Sequence, residues 1–153
     1  MAQTGSHTRS VVLERFPTLH ADVVNFPVRS GEDAWTVDEI YEVVDALLTE
    51  QSSLEQELVA ADAGLSELLR NSGDGSGDDQ ADYGSSALER EQELTFVNNT
   101  RDLFEQNKRA LARIHNGSYG ACESCGEAIG KARQQAFPLA TLCVTCKQKE
   151  ERR

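Results

Sequence analysis

Apolar residues recur at alternating steps of four and three along residues 40–68. This spacing is typical of the seam of a coiled-coil helix, and it continues for about four heptads with one polar break. Thr36 and Glu39 precede the seam as a capping box, in which each side chain binds a free backbone N–H of the first turn. The pattern therefore predicts a helix from Thr36 to about Arg70, roughly 50 Å long at ~1.5 Å per residue. The seam positions are Ile40, Val44, Leu47, Gln51, Leu54, Leu58, Ala61, Leu65 and Leu68.

A second stretch with three-four spacing predicts a second long helix before the end of the chain. Ser85 or Ser86 is its candidate N-cap, and the pair Asn116-Gly117 supplies a C-terminal stop. Its seam positions are Val97, Thr100, Phe104, Asn107, Leu111 and Ile114.

Residues 71–86 lie between the two predicted helices and read NSGDGSGDDQADYGSS. Glycine, serine and aspartate favour turns, so a loop is expected here. Two long helices joined by a short loop are expected to pack as an antiparallel hairpin. Pairing the polar seam residues Gln51 and Asn107 places the midpoint of that hairpin on Asp79.

The remaining segments complete three predicted regions. Residues 1–35 carry scattered apolar residues, and we expect them to be disordered or loosely docked. Residues 36–117 form the hairpin, with its tip loop at 71–86. Residues 118–153 form a small C-terminal module with a tail, and "IGKARQQAF" within it is a candidate short helix.

All four cysteines lie in the C-terminal module, as two C-x-x-C pairs separated by 17 residues: Cys122, Cys125, Cys143 and Cys146. Zinc prefers four tetrahedral ligands and binds thiolates well. The spacing matches the general four-cysteine zinc pattern, and Gly126 after the first pair allows a tight turn. Four protein ligands leave no position for a substrate, so the expected zinc is structural. The predicted fold class is mainly α: a long antiparallel helical hairpin (coiled coil), then a four-cysteine zinc-finger module with a short C-terminal helix.

Other uses of the cysteines fit less well. Disulfides are disfavoured in a reducing compartment. A thioredoxin-like redox site needs a βαβ pattern, which this sequence lacks. The spacing alone leaves an iron–sulfur centre open. His115 precedes Cys122 by seven residues, but four cysteines already complete a metal shell, so we expect His115 to interact with a helix dipole.

The charge restricts the partners. The net charge is −11, and most of it falls within residues 36–121. Such a polyanion is a poor ligand for the DNA backbone, so no sequence-specific DNA binding is expected. No apolar run is long enough for a membrane helix, and the N-terminus lacks a secretory core. We therefore expect a cytoplasmic protein without a membrane partner, and a monomer.

The stretch "GSYGACESCGEAIGKARQQAFPLATLCVTC" after a long acidic hairpin resembles the DksA/TraR family of bacterial RNA polymerase-binding factors. The resemblance covers about residues 36–150, and "PVRSGEDAWT" looks like the stretch before the hairpin in actinobacterial members. It implies a non-enzymatic regulator. The family inserts its hairpin into the secondary channel of RNA polymerase, close to the catalytic magnesium, and changes open-complex stability.

The family also carries a tip motif, Asp-x-x-Asp-x-Ala, between its two helices. Here the corresponding residues are Asp79, Asp82 and Gly84, so the resemblance implies that the two aspartates are the effector residues. Gly84 replaces the alanine, which removes a methyl group and loosens the backbone. This departure bears on the strength of the tip's effect.

Some family members act together with the alarmone ppGpp. By resemblance, Leu103 and Lys147 match positions used for that purpose. Two positions that are basic in responsive members are Asn99 and Gln106 here. These two residues argue against synergy with ppGpp.

Three other functions remain open from the sequence. A zinc-ribbon adaptor could bind nucleic acid or protein through the basic residues of the C-terminal module. A thiol redox protein could use the C-x-x-C pairs. A transcript-cleavage factor of the Gre type also presents acids on a hairpin tip, but such factors lack this zinc module.

Overall fold

The computed structural model describes the backbone of residues 9–73 and 80–153, and the side chains of residues 11–70 and 87–153. The described part of the chain is helical and contains no strand; residues Ala121 and Ala128 form an isolated bridge. The predicted mainly α fold class is confirmed. The elements are α1 Arg9–Arg15, α2 Leu19–Asp22, a 3₁₀ turn Val23–Asn25, α3 Val37–Gly73, α4 Gln80–Asn116, α5 Lys131–Ala136 and α6 Val144–Glu151.

Helix α3 begins where the capping box predicts. The backbone N–H of Thr36 donates to Oε1 of Glu39 at 2.9 Å, and the N–H of Glu39 donates to Oγ1 of Thr36 at 3.2 Å. Two N–H groups that have no partner within the helix are thereby satisfied. This reciprocal pair fixes the helix start at Val37.

Helix α4 ends at the predicted stop. Gly117 follows Asn116 with φ +78°, a conformation that glycine adopts without strain. The N–H of Gly117 donates to the carbonyl of Ile114 at 3.2 Å, and the N–H of Ser118 donates to the carbonyl of Arg113 at 2.9 Å. These two bonds form a Schellman motif, which turns the chain out of the helix.

Ten of the sixteen residues of the predicted loop 71–86 are helical in the structure. Helix α3 continues to Gly73 and α4 begins at Gln80, so Ser85 and Ser86 lie inside α4 and are not its N-cap. Extending an existing helix adds one hydrogen bond for each residue ordered, and this outweighs the weak helix propensity of these residues. Asp79 lies outside the described residues. Asp82 and Gly84 have helical backbones, and their side chains are not described.

The chain divides into two compact units. The first comprises Met1–Glu50 and Gln106–Arg153 and is called the finger unit here. The second comprises Gln51–Glu105 and is called the two-helix unit. Each unit contains part of α3 and part of α4.

The core of the finger unit includes residues of the segment 12–35, which the sequence predicts to be disordered or loosely docked, whereas residues 1–8 of that predicted segment lie outside the described residues. Five apolar residues from Val12 to Phe26 are at most 5% exposed and belong to one core cluster with the first part of α3 and the last part of α4. Sequence reasoning missed them because Pro17 separates α1 from α2, and neither short helix shows a long period. Their spacing nevertheless alternates by four and three. These residues are Val12, Phe16, Leu19, Val23 and Phe26.

In the same unit the seam of α3 is buried as predicted, with Ile40, Val44 and Leu47 at most 2% exposed. The buried side chain of Asn107 in α4 donates through Nδ2 to the carbonyl of Leu47 at 3.0 Å. This bond lies one helical turn before the predicted partner, Gln51. The antiparallel register is therefore within one turn of the prediction.

The two-helix unit has a thinner core. Its buried side chains in the described part are Leu54, Ala61, Val97 and Thr100. Arg101 bridges from α4 to Asp62 of α3 at 3.2 Å. The remaining predicted seam residues of α3, among them Leu58, are only half-buried.

Candidate metal centre

The first cysteine pair lies on a short hairpin-like ribbon, residues 120–129. The N–H of Cys122 donates to the carbonyl of Glu127 at 2.7 Å, and the N–H of Ile129 donates to the carbonyl of Gly120 at 2.7 Å. At the turn, Gly126 has φ +79° and its N–H donates to the carbonyl of Cys122 at 2.9 Å. The turn brings the side chains of Cys122 and Cys125 to one side.

The second pair is placed by helix α6. Cys143 is the N-cap of this helix, and its Sγ accepts a hydrogen bond from the N–H of Cys146 at 3.5 Å. The N–H of Lys147 donates to the carbonyl of Cys143 at 2.9 Å, which is the first bond of the helix. Both sulfurs of this pair therefore lie at the N-terminus of α6, where partial positive charge favours thiolates.

Hydrogen bonds to backbone carbonyls hold the connection between the two pairs. The amide of Gln134, which is fully buried, donates to the carbonyls of Phe137 and Ala140 at 3.3 and 3.1 Å. The hydroxyl of Tyr119 donates to the carbonyl of Pro138 at 2.8 Å. The N–H of Glu123 reaches across from the first pair to the carbonyl of Thr141 at 2.9 Å. The spacing of the two pairs is thus fixed by the segment between them.

The four sulfurs converge on one point. The Sγ atoms of Cys122, Cys125, Cys143 and Cys146 all lie within 4.8 Å of one another. The Sγ atoms of Cys125 and Cys143 are 3.8 Å apart. A tetrahedron with Zn–S bonds of ~2.3 Å has edges of about 3.8 Å, so the group has the size that zinc requires. His115 is not part of this group; its ring lies 6.1 Å from that of Phe16.

The pKa values of the thiols also agree with a site that binds a cation. Burial raises the pKa of Cys122, but backbone hydrogen bonds at Cys125, Cys143 and Ser124 outweigh it and lower the pKa to about 6. For Cys146, a hydrogen bond with Ser124 lowers the pKa, while the other three sulfurs and burial raise it to about 12. Four crowded thiols cannot all become thiolates unless a positive ion neutralises them. The residues therefore suit one structural zinc ion.

The two residues matched to alarmone positions lie in different units. Leu103 is on α4 in the two-helix unit, with a side chain 43% exposed. Lys147 is on α6 in the finger unit, and its ammonium pairs with Glu150 at 3.2 Å. Lys147 also lines a surface groove with Gln106, Arg133 and Phe137. The prediction for Leu103 and Lys147 stays a prediction.

A group of contacts that the sequence did not indicate lies beside the cysteine ribbon. The N–H of Lys131 donates to Glu32, and the ammonium of Lys131 pairs with Glu39 and lies over the ring of Trp35. Lys131 lies 99 positions after Glu32 in the chain, so no periodic pattern could have connected the two.

The site belongs to a known class of zinc finger. Residues 117–152 match the family model of the prokaryotic dksA/traR C4-type zinc finger. The C-terminal module is therefore a zinc finger of the DksA/TraR type.

The chain is also similar to individual proteins of known name. RNA polymerase-binding transcription factor DksA of Caulobacter vibrioides is 44% identical over 75 residues, which are 49% of this chain and 53% of that protein. DksA of Escherichia coli K12 is 35% identical over 69 residues, 45% of this chain and 46% of that protein. The chain thus spans about half the length of the curated relatives it matches.

A solved structure extends the similarity beyond the finger. Transcription factor DksA2 from Pseudomonas aeruginosa matches with a TM-score of 0.60 and 28% identity, covering 74% of this chain and 83% of that chain. The chain is therefore similar to the DksA transcription factors in its zinc finger and in its fold. Among the described residues, no helix is long and apolar enough to span a membrane.

Proposed function

We propose that this chain is an RNA polymerase-binding transcription regulator without enzymatic activity. The proposal rests on the order of the two long helices, the acidic segment and the zinc finger along the chain. Two 37-residue helices, α3 and α4, lead to and from an acidic segment, and a DksA/TraR zinc finger directly follows α4. Relatives with this finger are named RNA polymerase-binding transcription factors.

The proposed effector residues are Asp79 and Asp82. In the sequence, Asp79 directly precedes the first residue of α4 and Asp82 lies in the first turn of α4. A hairpin of the two helices would present this segment first to a partner. Inserted into the secondary channel of the polymerase, their carboxylates would act on the basic groups and the magnesium near the catalytic centre. Charge interactions are strong there because little water screens them. Gly84 follows within the first two turns of α4 and is proposed to set the strength of the effect.

The proposed role of zinc is to hold the finger together. A four-cysteine shell has no open coordination position, so the metal takes no part in chemistry. The net charge of −11 opposes binding to DNA without the polymerase. We accordingly propose a cytoplasmic monomer that acts through RNA polymerase alone.

The alarmone ppGpp is proposed to contribute little. The groove beside Lys147 contains Arg133, but the residue that α4 contributes to the groove is the uncharged Gln106. Asn99, also uncharged, is exposed on α4. A multiply charged phosphate ligand therefore meets fewer cations here than in responsive family members.

The experiment compares two double variants with equal charge changes in a purified transcription assay. Asp79→Asn/Asp82→Asn removes the proposed effector acids, and Asp74→Asn/Asp78→Asn removes two acids from the same segment as a control. The open-complex lifetime at a ribosomal promoter is measured with and without ppGpp. We expect the wild type and the control to shorten it, and the effector variant to bind the polymerase without shortening it. An effector variant that acts like the wild type would refute the tip role.

A further inference from the structure

The segment before α3 lies directly against the cysteine ribbon. Residues 26–36 are called the strap here. A methyl group added at Gly130 would lie 2.9 Å from Cδ of Arg29, and one added at Gly120 would lie 3.1 Å from the carbonyl oxygen of Pro27. Both glycines also have positive φ, +111° and +102°. The strap therefore packs against the end of the ribbon where its first and last residues are paired.

The carboxylate of Glu32 joins the strap to the zinc finger. Its Oε1 accepts a hydrogen bond from the N–H of Arg29 at 2.7 Å. Its Oε2 accepts one from the N–H of Lys131 at 3.0 Å. Lys131 is the first residue of α5, and its N–H has no partner inside that helix. One side chain thus closes a turn of the strap and caps an element of the finger.

The ammonium of Lys131 connects the zinc finger to the strap and to the first turn of α3. It pairs with Oε1 of Glu39 at 2.8 Å and donates to the carbonyl of Ala34 at 3.4 Å. It also lies 5.7 Å from the ring centre of Trp35, a cation–π contact. The side chain is only 14% exposed, so these interactions are poorly screened by water. Trp35 itself is 1% exposed and its ring lies 6.2 Å from that of Tyr119.

These contacts continue to the metal ligands through the ribbon. Gly130 follows Ile129, whose N–H bonds to Gly120, and the adjacent bond joins Cys122 to Glu127. Arg29 of the strap also lines a pocket with the sulfur-bearing residues Cys125, Cys143 and Cys146. Movement of the strap would therefore change how the ribbon holds Cys122 and Cys125, although no strap residue is itself a zinc ligand.

We propose that Glu32 and Lys131 are positioning residues for zinc, so that docking of the strap and binding of the metal are thermodynamically coupled. This coupling does not require RNA polymerase. Linkage requires the effect to be reciprocal: a docked strap raises zinc affinity, and bound zinc holds the strap in place. Residues that orient metal ligands without touching the metal typically change metal affinity ~10- to 100-fold when replaced.

The first test measures zinc affinity of the full chain by competition with a chelating indicator. Glu32→Gln keeps one acceptor oxygen and loses the other, and Lys131→Met keeps the aliphatic stem and loses the charge. The matched control is Asp62→Asn, which breaks an exposed ion pair in the two-helix unit. We expect about tenfold weaker zinc binding in the first two variants and no change in the control. Wild-type affinity in a variant with wild-type helicity would overturn the proposal.

The second test uses the wild type alone, so it holds even if both variants fail to fold. Trp35 is the single tryptophan of the chain, and its emission reports the environment of the strap. Removing zinc with a chelator is expected to shift the emission to longer wavelength, and adding zinc back is expected to restore it. Emission that does not respond to zinc would overturn the coupling.

Discussion

The finger unit and the two-helix unit are built on the same two long helices but are stabilised differently. In the finger unit, the strap and the segment before it cover α3 and α4, and the core includes Phe16, Phe26, Trp35 and Tyr119. In the described part of the two-helix unit, burial is confined to the seam, and Leu58 is only half-buried. Burial of apolar area and a metal site stabilise the first unit, whereas a narrow seam stabilises the second.

The difference in packing between the two units fits two different tasks, holding a metal and entering a channel. A unit that holds a metal needs fixed ligand positions, and a third layer of packing provides them. A helix pair that enters a channel cannot carry a third layer, because the added layer would widen it. In the proposed function, the thin core of the two-helix unit is therefore a requirement of its task.

Loss of the metal should give the largest difference between the units. Structural zinc contributes ~10–16 kcal/mol of apparent binding free energy in small fingers, and here all four ligands lie in the finger unit. In Cys143→Ser, we expect hydrogen exchange to accelerate throughout residues 119–146 while amides of residues 54–65 keep their protection. The measurement is hydrogen exchange followed by mass spectrometry. Equal loss of protection in both units would contradict the comparison.

Core truncation should give the next largest difference. Ile40 in the finger unit is fully buried, so Ile40→Ala should lower the free energy of unfolding by ~2–5 kcal/mol. Leu58 in the two-helix unit is half-buried, so Leu58→Ala should cost about 1 kcal/mol. Urea unfolding followed by circular dichroism measures both. The comparison fails if Leu58→Ala costs as much as Ile40→Ala.

The smallest expected effect is a pH-dependent one at Glu39. A hydrogen bond from Lys131 lowers the pKa of this carboxyl below its ordinary value of 4.5. Its contribution to stability is therefore present above pH 4.5 and is lost as the pH falls through the lowered pKa. Glu39→Gln keeps the capping box but loses the ion pair.

We expect Glu39→Gln to be less stable than the wild type at pH 7, by under about 1 kcal/mol, and equal to it in strong acid. Thermal unfolding across pH checks this. The control is Asp62→Asn, whose ion pair lies in the two-helix unit. If the stability difference between Glu39→Gln and the wild type grew as the pH fell, the predicted direction of the pH dependence would be wrong.

Local signals in the sequence were sufficient for much of the fold. The capping box at Thr36 and the stop at Gly117 are determined by residues within one turn, and both are found as predicted. The four cysteines could be grouped because zinc chemistry requires the shared site that the structure shows. The similarity to the DksA/TraR finger is confirmed by the family model.

Non-local contacts could not be predicted in the same way. Glu32 and Lys131 are distant in the chain, and nothing in a lone glutamate indicates that it caps a helix about 100 residues later. The buried stripe from Val12 to Phe26 does follow a four-three spacing, but Pro17 interrupts its helices. The prediction of a loop over 71–86 is wrong at both ends, because composition indicates turn propensity but not that extending an existing helix adds a hydrogen bond for each residue ordered.

The proposed function requires the acidic segment to lie close to the polymerase's catalytic metal, and localised radical cleavage measures this proximity. Replacing the catalytic magnesium of RNA polymerase by Fe²⁺ and adding a reductant with peroxide generates hydroxyl radicals that cut only nearby backbone. With the full chain bound, we predict cleavage of the chain confined to the neighbourhood of Asp79 and Asp82. Cleavage at the zinc finger, or no cleavage of a chain shown to be bound, would contradict the account.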